Sequence, residues 1–265
     1  MKDVSKLDFH NHLIPGVDDG AATVDDGVAG IATMAAQGIR HIVATPHLRA
    51  SLVARTTDCA SYLGDVGVAW QRLLDSAAPM EGINIYRGFE ILLDVPSVDL
   101  SDPLLRLAGS KFVLVEFPFV SIPPHSETAL FNIKIQECEP IVAHPERYAG
   151  IQEDPLRAKE WLRVGAHLQA NAGSFIGQYG RAAERTVWTL LELGLLAYVC
   201  SDFHAVGACQ TEPAYKAIEK RYGPDVPRRL FSDNPLGILK NETPLRVQPP
   251  PRRGILGWLR SRLRP

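Results

Sequence analysis

Four cysteines in 265 residues, with no C-x-x-C pair among them, leave little thiol chemistry to this chain. Cys59, Cys138, Cys200 and Cys209 read as free, mostly buried thiols. A cysteine-dependent phosphatase needs C-x5-R, so that an arginine and the loop amides surround the phosphorylated thiolate. The residues six positions on are Asp65, His144, Val206 and Tyr215, which excludes that mechanism. The chain also lacks GxxxxGK[ST], GxGxxG and GxSxG, which removes the P-loop, the dinucleotide fingerprint and the serine-hydrolase elbow. No apolar run approaches the roughly 20 residues of a membrane span. MKDVSKLDFHNH carries no signal-peptide apolar stretch, so a cytoplasmic location is expected. A net charge of −2 gives no basic footprint for nucleic acid, and no internal repeat is visible.

What is present is a large core and a regular alternation. The hydrophobic share of 46% supports one large domain or two small ones. Apolar runs of strand character occupy 6–10, 40–47, 83–90, 111–117, 139–145, 166–171 and 196–204. Helical patterns lie between them, over 24–38, 56–77, 126–137, 154–165 and 181–194. Ser126 reads as an N-cap, Asp154 as a cap with Pro155 at the first helical position, and Gly38 and Gly165 as stops. Strand and helix in turn predict a parallel α/β fold, and seven runs suggest barrel-like closure.

The runs end in polar residues. His10 and His12 follow the first, with Asp18 and Asp19 just beyond. His47 closes the second, Glu90 the third and His144 the fifth; Glu116 lies late in the fourth, and Asp202 and His204 close the seventh. In parallel α/β folds the C-terminal strand ends share one rim, so these residues are expected to converge. Any one of them alone is more simply a solvated charge or a turn residue; their joint placement is not. Crowded carboxylates repel, and histidines that are mostly neutral near pH 7 do not remove the repulsion. Divalent ions do. Nine candidates (His10, His12, Asp19, His47, Glu90, Glu116, His144, Asp202 and His204) exceed one tetrahedral zinc and suit two or three ions with open positions. A cationic pocket of this kind is what metal-assisted phosphate-ester hydrolysis requires. The N/O ligand set favours manganese, iron or zinc over copper(I).

DFHNHLIPGVDDG, ATPH, GFE, LVEFP, VAHPERY, NAGSFIGQYG and CSDFH stand in an order and spacing that resemble the polymerase-and-histidinol-phosphatase (PHP) superfamily. Within it, PGVDDGA, AHPERY and NAGS…YG resemble the CpsB/CapC family of capsular-polysaccharide protein-tyrosine phosphatases, over about residues 7–240. The resemblance implies a distorted (β/α)7 TIM-like barrel, the PHP fold, in a single domain over 1–240. It implies three divalent ions, Mn2+ first, with Fe or Zn as alternatives. His10 and His12 would hold one ion with Glu90 and Asp202; Glu90 would bridge to a second with Glu116 and His144; Asp19, His47 and His204 would hold the third. An ion-bridged hydroxide would be the nucleophile. Arg147 would grip phosphate, since a guanidinium fork matches its oxygens, and Asp202 and His204 complete the catalytic set. The implied substrate is a phosphotyrosine protein, a membrane-bound bacterial tyrosine kinase. One departure stands out. Cys209 lies near the place where the family often has an arginine after Asp-x-His, and Arg49 or Arg55 are the candidates to replace it. The alternatives are a PHP phosphatase for a small ester such as histidinol phosphate, a PHP nuclease, which the even charge disfavours, and a non-catalytic regulator, which the intact ligand set disfavours.

Residues 241–265 change character. QPPPRR is a stiff linker, and GILGWLRSRLRP places Ile255, Leu259 and Leu263 at helical spacing among five arginines over 252–264. The functional expectation is an interfacial helix over 249–265 that rests on anionic lipid at the inner face of the membrane or docks on a membrane kinase complex. The simpler expectation is a helix packed on the barrel or on a second subunit of an oligomer.

Overall fold

A computed structural model describes residues 5–78, 80–118 and 122–247. The expected tail helix, and with it the 249–265 membrane contact, lies outside the described residues. In chain order the elements are β1 (Lys6–Asp8), α1 (Val24–Ala36), β2 (Ile39–Ala44), β3 (His47–Arg49), α2 (Ala50–Val53), α3 (Thr56–Ala77), β4 (Asn84–Arg87), β5 (Glu90–Leu92), β6 (Phe112–Glu116), α4 (Ser126–Lys134), β7 (Glu139–Ala143), α5 (Ala149–Glu153), α6 (Ala158–Arg163), β8 (His167–Asn171), α7 (Gly180–Glu192), β9 (Tyr198–Cys200), α8 (Thr211–Tyr222), α9 (Asp225–Arg228) and α10 (Asn234–Ile238).

All strand pairs are parallel, as the alternation predicts. They form two sheets, ordered β1-β2-β4 and β3-β5-β6-β7-β8-β9. Two of the expected runs break in the middle: Thr45 and Pro46 separate β2 from β3, and Gly88 and Phe89 separate β4 from β5. Proline cannot donate to a ladder, and a side chain at the glycine would crowd Arg106 and Leu107. The sheets meet at one parallel bridge between Asn11 and Phe203. There the His12 amide donates to the Phe203 carbonyl (2.9 Å) and the Asp202 amide to His10 (2.8 Å).

The strands read as near-continuous apolar runs because both faces are covered. Alternation divides them. Val113, Val115, Leu168, Ala170 and Val199 pack with helix residues such as Ile133, Trp161, Leu190 and Ile218. Leu7, Phe9, Val43, Phe112, Leu114, Ile141, Tyr198 and Cys200 form a second cluster that draws on both sheets, and Ile238 of α10 packs into it. Strands β6, β8 and β9 therefore present Phe112–Leu114–Glu116, His167–Gln169–Asn171 and Tyr198–Cys200, with Asp202 next in step, on one side. The Phe112 and Tyr198 rings flank His167 at the lower end. The upper end is polar.

Among the described α-helices only α1 opens on a side-chain cap. Thr23 and Asp26 form a capping box at α1. Asp154 accepts from the Leu156 amide, but the segment it caps is a 3-10 turn over Pro155–Arg157 that precedes the short α6. Ser126 is not a cap: His125, in the left-handed region at φ 62°, takes that position, while Ser126 Oγ accepts from Trp161 Nε1 at 2.9 Å. The helix also ends earlier than expected, at Lys134.

Candidate metal centre

The first strand run stays buried past Asp8. The Asp8 carboxylate accepts from the amides of His10 (3.1 Å) and Ser201 (2.7 Å) and from Asn11 Nδ2 (3.0 Å), which ties the first and last strand ends together. Burial pushes its pKa up, against the pull of those hydrogen bonds. His12 is then seated by a close approach: a Cβ at Gly20 would fall on the His12 carbonyl and Cβ, so only glycine lets the loop fold back. His144 and Asp202 carry their side chains from left-handed backbone, at φ 36° and 53°. Such conformations cost on the order of 1–3 kcal/mol each and gather at functional sites.

Seven buried or half-buried side chains meet around Glu90. Its Oε1 lies 2.9 Å from His144 Nε2 and 3.1 Å from His10 Nε2; its Oε2 lies 3.1 Å from His47 Nδ1 and 3.5 Å from His12 Nε2. Asp202 Oδ1 sits 3.3 Å from His10 Nε2 and 3.4 Å from His12 Nε2. Glu116 reaches His47 at 3.4 Å and His144 at 3.8 Å. Asp19, the most exposed member, lies 3.5 Å from His47 and 3.4 Å from His204. All nine residues singled out in the sequence are thus brought together.

Protons follow this crowding. Burial pushes the His10 ring down, but Glu90 and Asp202 outweigh it and hold the pKa up at about 10. The same contest, decided by Asp18 and Asp202, leaves His12 at about 9, and Glu116 and Glu90 leave His47 at about 11. Burial would raise Glu90, yet His10, His144 and His47 hold it well below the usual carboxylate range; His10, His12 and His144 do the same for Asp202. In the absence of cations, imidazolium charge is what balances these carboxylates.

The donor set fits divalent ions. Four overlapping groups (His12-Asp19-His47-His204, His10-His12-Asp202, His10-Glu90-His144 and His47-Glu90-Glu116) each bring their nitrogen and oxygen atoms within 4.8 Å of one another. Among the described residues, His10 Nε2, His12 Nε2 and Glu90 Oε2 are buried without a hydrogen-bond partner, and all three face this centre. Buried polar atoms are rarely left so. No cysteine takes part in these groups.

Around the ligands is a shell that sequence reasoning missed. Asp18 Oδ2 holds His12 Nδ1 at 2.7 Å and accepts from the His47 amide. Gln169 Oε1 meets His10 Nδ1 at 2.8 Å, and its Nε2 donates to Asn171 Oδ1 at 3.1 Å. Asn171 Nδ2 donates to Asp202 Oδ2 at 2.6 Å. The signal was available in the alternation of HLQAN, which sets Gln169 and Asn171 on the same strand face.

Beside the ligands opens a cavity of about 460 Å3 whose wall includes His47, Glu116, Asp202, His204, Arg147 and Tyr179. Arg147 Nη1 lies 3.1 Å from Asp202 Oδ2, and its guanidinium stacks 4.5 Å over Tyr179. Arg55 is elsewhere, exposed and paired with Asp58 at 3.4 Å. Cys209 turns into the core with Leu13 and Met34, while its neighbours Ala208 and Gln210 line the cavity. Arg49, exposed, does not line this cavity but an adjoining recess, so Arg147 is the arginine that this wall offers.

Against known proteins, the family model for capsular polysaccharide synthesis, CpsB/CapC, matches residues 6–240. The chain belongs to the CpsB/CapC family. Its relatives include the tyrosine-protein phosphatase YwqE of Bacillus subtilis, 30% identical over 95% of this chain and 99% of that protein. The tyrosine-protein phosphatase CpsB of Streptococcus pneumoniae is 27% identical over 89% and 99%. A crystal structure from the work on YwqE and CpsB, described as unique metal-dependent tyrosine phosphatases, superposes with a TM-score of 0.75 at 28% identity, over 93% of this chain and all of that one. The CpsB/CapC match ends at residue 240, where the last described helix has just closed.

Proposed function

We propose that this chain is a metal-dependent protein-tyrosine phosphatase that hydrolyses a phosphotyrosine monoester to tyrosine and inorganic phosphate. One observation carries the reading: nine side chains from six separate stretches of the sequence gather into overlapping nitrogen and oxygen groups at one end of a fold matched by metal-dependent tyrosine phosphatases. His10, His12, Glu90 and Asp202 would hold one ion, Glu90, Glu116 and His144 a second, and Asp19, His47 and His204 a third. The carboxylates of Asp19 and Glu116 make the sites harder, which favours manganese, with iron or zinc as alternatives. Bound ions would lower the pKa of water and offset phosphate charge.

The protein's own groups have definable tasks. Gln169 and Asp18 fix the Nδ1 side of His10 and His12, so that each ring offers Nε2 inward. Arg147, held by Asp202 and Tyr179, places a guanidinium fork at the cavity for two phosphate oxygens. His204, about one third exposed beside Asp19, lines the cavity and completes the catalytic set with Asp202.

Two further readings accompany this one. The two sheets are the arcs of one distorted seven-stranded barrel. The Asn11–Phe203 bridge and the apolar cluster shared by both sheets support it. The substrate protein is a membrane-bound bacterial tyrosine kinase, met at the inner face of the membrane; the capsular-polysaccharide family supports that choice.

The test is turnover of p-nitrophenyl phosphate, a phosphotyrosine peptide and histidinol phosphate, each with manganese and with chelator. Manganese-dependent preference for the aryl esters is expected. Preference for histidinol phosphate would move the chain to a small-ester phosphatase, and no turnover of any would leave a binding-only protein.

A further inference from the structure

A second recess of about 490 Å3 adjoins the metal-ligand cavity, and its wall is mostly apolar: Leu48, Leu52, Tyr62, Leu92, Phe117 and Pro118, with the exposed Arg49 as its one arginine or lysine. It has His47 and Glu116 in common with the cavity and no other residue. Arg147 belongs to the cavity alone. The arrangement follows from the strand ends, because Leu48 succeeds His47, Phe117 succeeds Glu116, and Leu92 lies two past Glu90. Tyr62 pins the shared edge, its hydroxyl donating to the His47 carbonyl at 2.6 Å. Leu48 and Phe117 are buried; Leu52, Tyr62, Leu92 and Pro118 are half-buried.

The geometry points to this recess as the seat of the substrate's aromatic ring. The inference rests on the phosphatase reading above and deepens it. A phosphomonoester has two ends of opposite character. The phosphoryl end belongs with Arg147 and the carboxylate-imidazole cluster. The organic end must leave that cluster, and the recess offers apolar surface directly across the His47–Glu116 wall. The far side of the cavity, by Val206, Gly207, Ala208 and Gln210, offers no such continuous apolar surface and is lined in part by polar groups. A flat phenolic ring gains by leaving water for such a slot. A small ester such as histidinol phosphate carries an ammonium group, which costs free energy to bury there. The recess therefore selects aryl over charged alkyl phosphates, with Leu52 and Leu92 as specificity-determining residues.

The experiment uses the full chain loaded with a diamagnetic divalent ion, Mg2+ or Zn2+, and benzylphosphonate as the probe, with methylphosphonate as a ringless control. Ring-current shifts are expected at the Leu52 and Leu92 methyl resonances with benzylphosphonate only. In parallel, Leu52→Gln and Leu92→Gln should lower the ratio of kcat/KM for a phosphotyrosine peptide to that for acetyl phosphate by tenfold or more. Shifts confined to Val206 and Ala208, no ring-dependent shift in a chain that turns over p-nitrophenyl phosphate, or an unaltered kinetic ratio would each overturn the recess assignment. Absence of turnover of every phosphomonoester by the unmutated chain with any divalent ion would instead overturn the phosphatase reading itself.

Discussion

Asn171 makes no contact with the imidazoles, yet its Nδ2 holds Asp202 Oδ2 at 2.6 Å and its Oδ1 takes the Gln169 amide that also reaches His10. Removing it frees a buried carboxylate to rotate away from His10 and His12. Outer-shell partners of this kind change metal affinity by about 10–100-fold. Asn171→Ala should lower divalent-ion affinity by that factor, read by titration of the metal-free chain with metal content measured by mass spectrometry. Unchanged affinity would mean that the strand fixes Asp202 without help. Arg147 behaves differently. Arg147→Lys keeps the charge and loses the fork. Hydrogen bonds to charged groups are worth about 1.5–3 kcal/mol, so kcat/KM for a phosphotyrosine peptide should fall roughly 10–100-fold while metal content at saturation holds. A parallel loss of metal would show that Arg147 serves Asp202 rather than phosphate.

Strand β8 shows what alternation encodes and what it hides. Its two ends perform opposite duties. Asn171 serves the polar end, whereas His167 lies among Phe112 and Tyr198 at the other. Burial pushes the His167 pKa down, and Lys134 and Lys111 add to this, against the opposing pull of Glu139 at 3.4 Å. The sign follows directly. The native ring stays neutral, while the unfolded ring takes a proton near its ordinary value of about 6.5. Stability is thus unaffected by this group above that pH and declines as pH falls below it. The His167 side-chain NMR resonances should titrate with a midpoint below 6.5; a midpoint above it would mean that Glu139 prevails. Every strand segment lies within or touches an apolar run read from the sequence, because a strand covered on both faces leaves an unbroken hydrophobic stretch. The breaks at Thr45-Pro46 and Gly88-Phe89 were not foreseen, since a pause in a ladder leaves no pause in hydropathy. The helices beyond Asp202, α8 to α10, were likewise unread. Glu212, Lys216, Glu219 and Lys220 dilute the apolar period of α8, whose burial rests on Ala214, Ile218 and Tyr222.

For the whole molecule, convergence was the most legible property, because parallel strands deliver their ends to one rim whatever their separation along the chain. That rule placed His10 beside Asp202. It did not single out Gln169 and Asn171 behind them: alternation sets both on one strand face, but an amide at a strand end reads as an ordinary polar residue. The same convergence has a thermodynamic consequence. Glu90, Glu116 and Asp202 are almost wholly withdrawn from solvent, at 1%, 5% and 7% exposure, so their charge must be balanced from within. Without divalent ions the balance falls to protonated His10, His12 and His47, which stand close to one another as well as to the carboxylates. Ions that bind the native cluster and not the unfolded chain stabilise it by RT ln(1 + [L]/Kd), about 4 kcal/mol at a thousandfold excess over Kd. In a chain of this size that corresponds to a rise in Tm of roughly 10 °C. Calorimetry of the chelated chain with and without added Mn2+ should show the rise, and Glu90→Gln, which withdraws a carboxylate shared by two of the four groups, should abolish most of it. If the imidazoles and carboxylates were instead a self-sufficient ion-pair network, no divalent ion would raise Tm, and Glu90→Gln would lower stability equally in chelator and in metal.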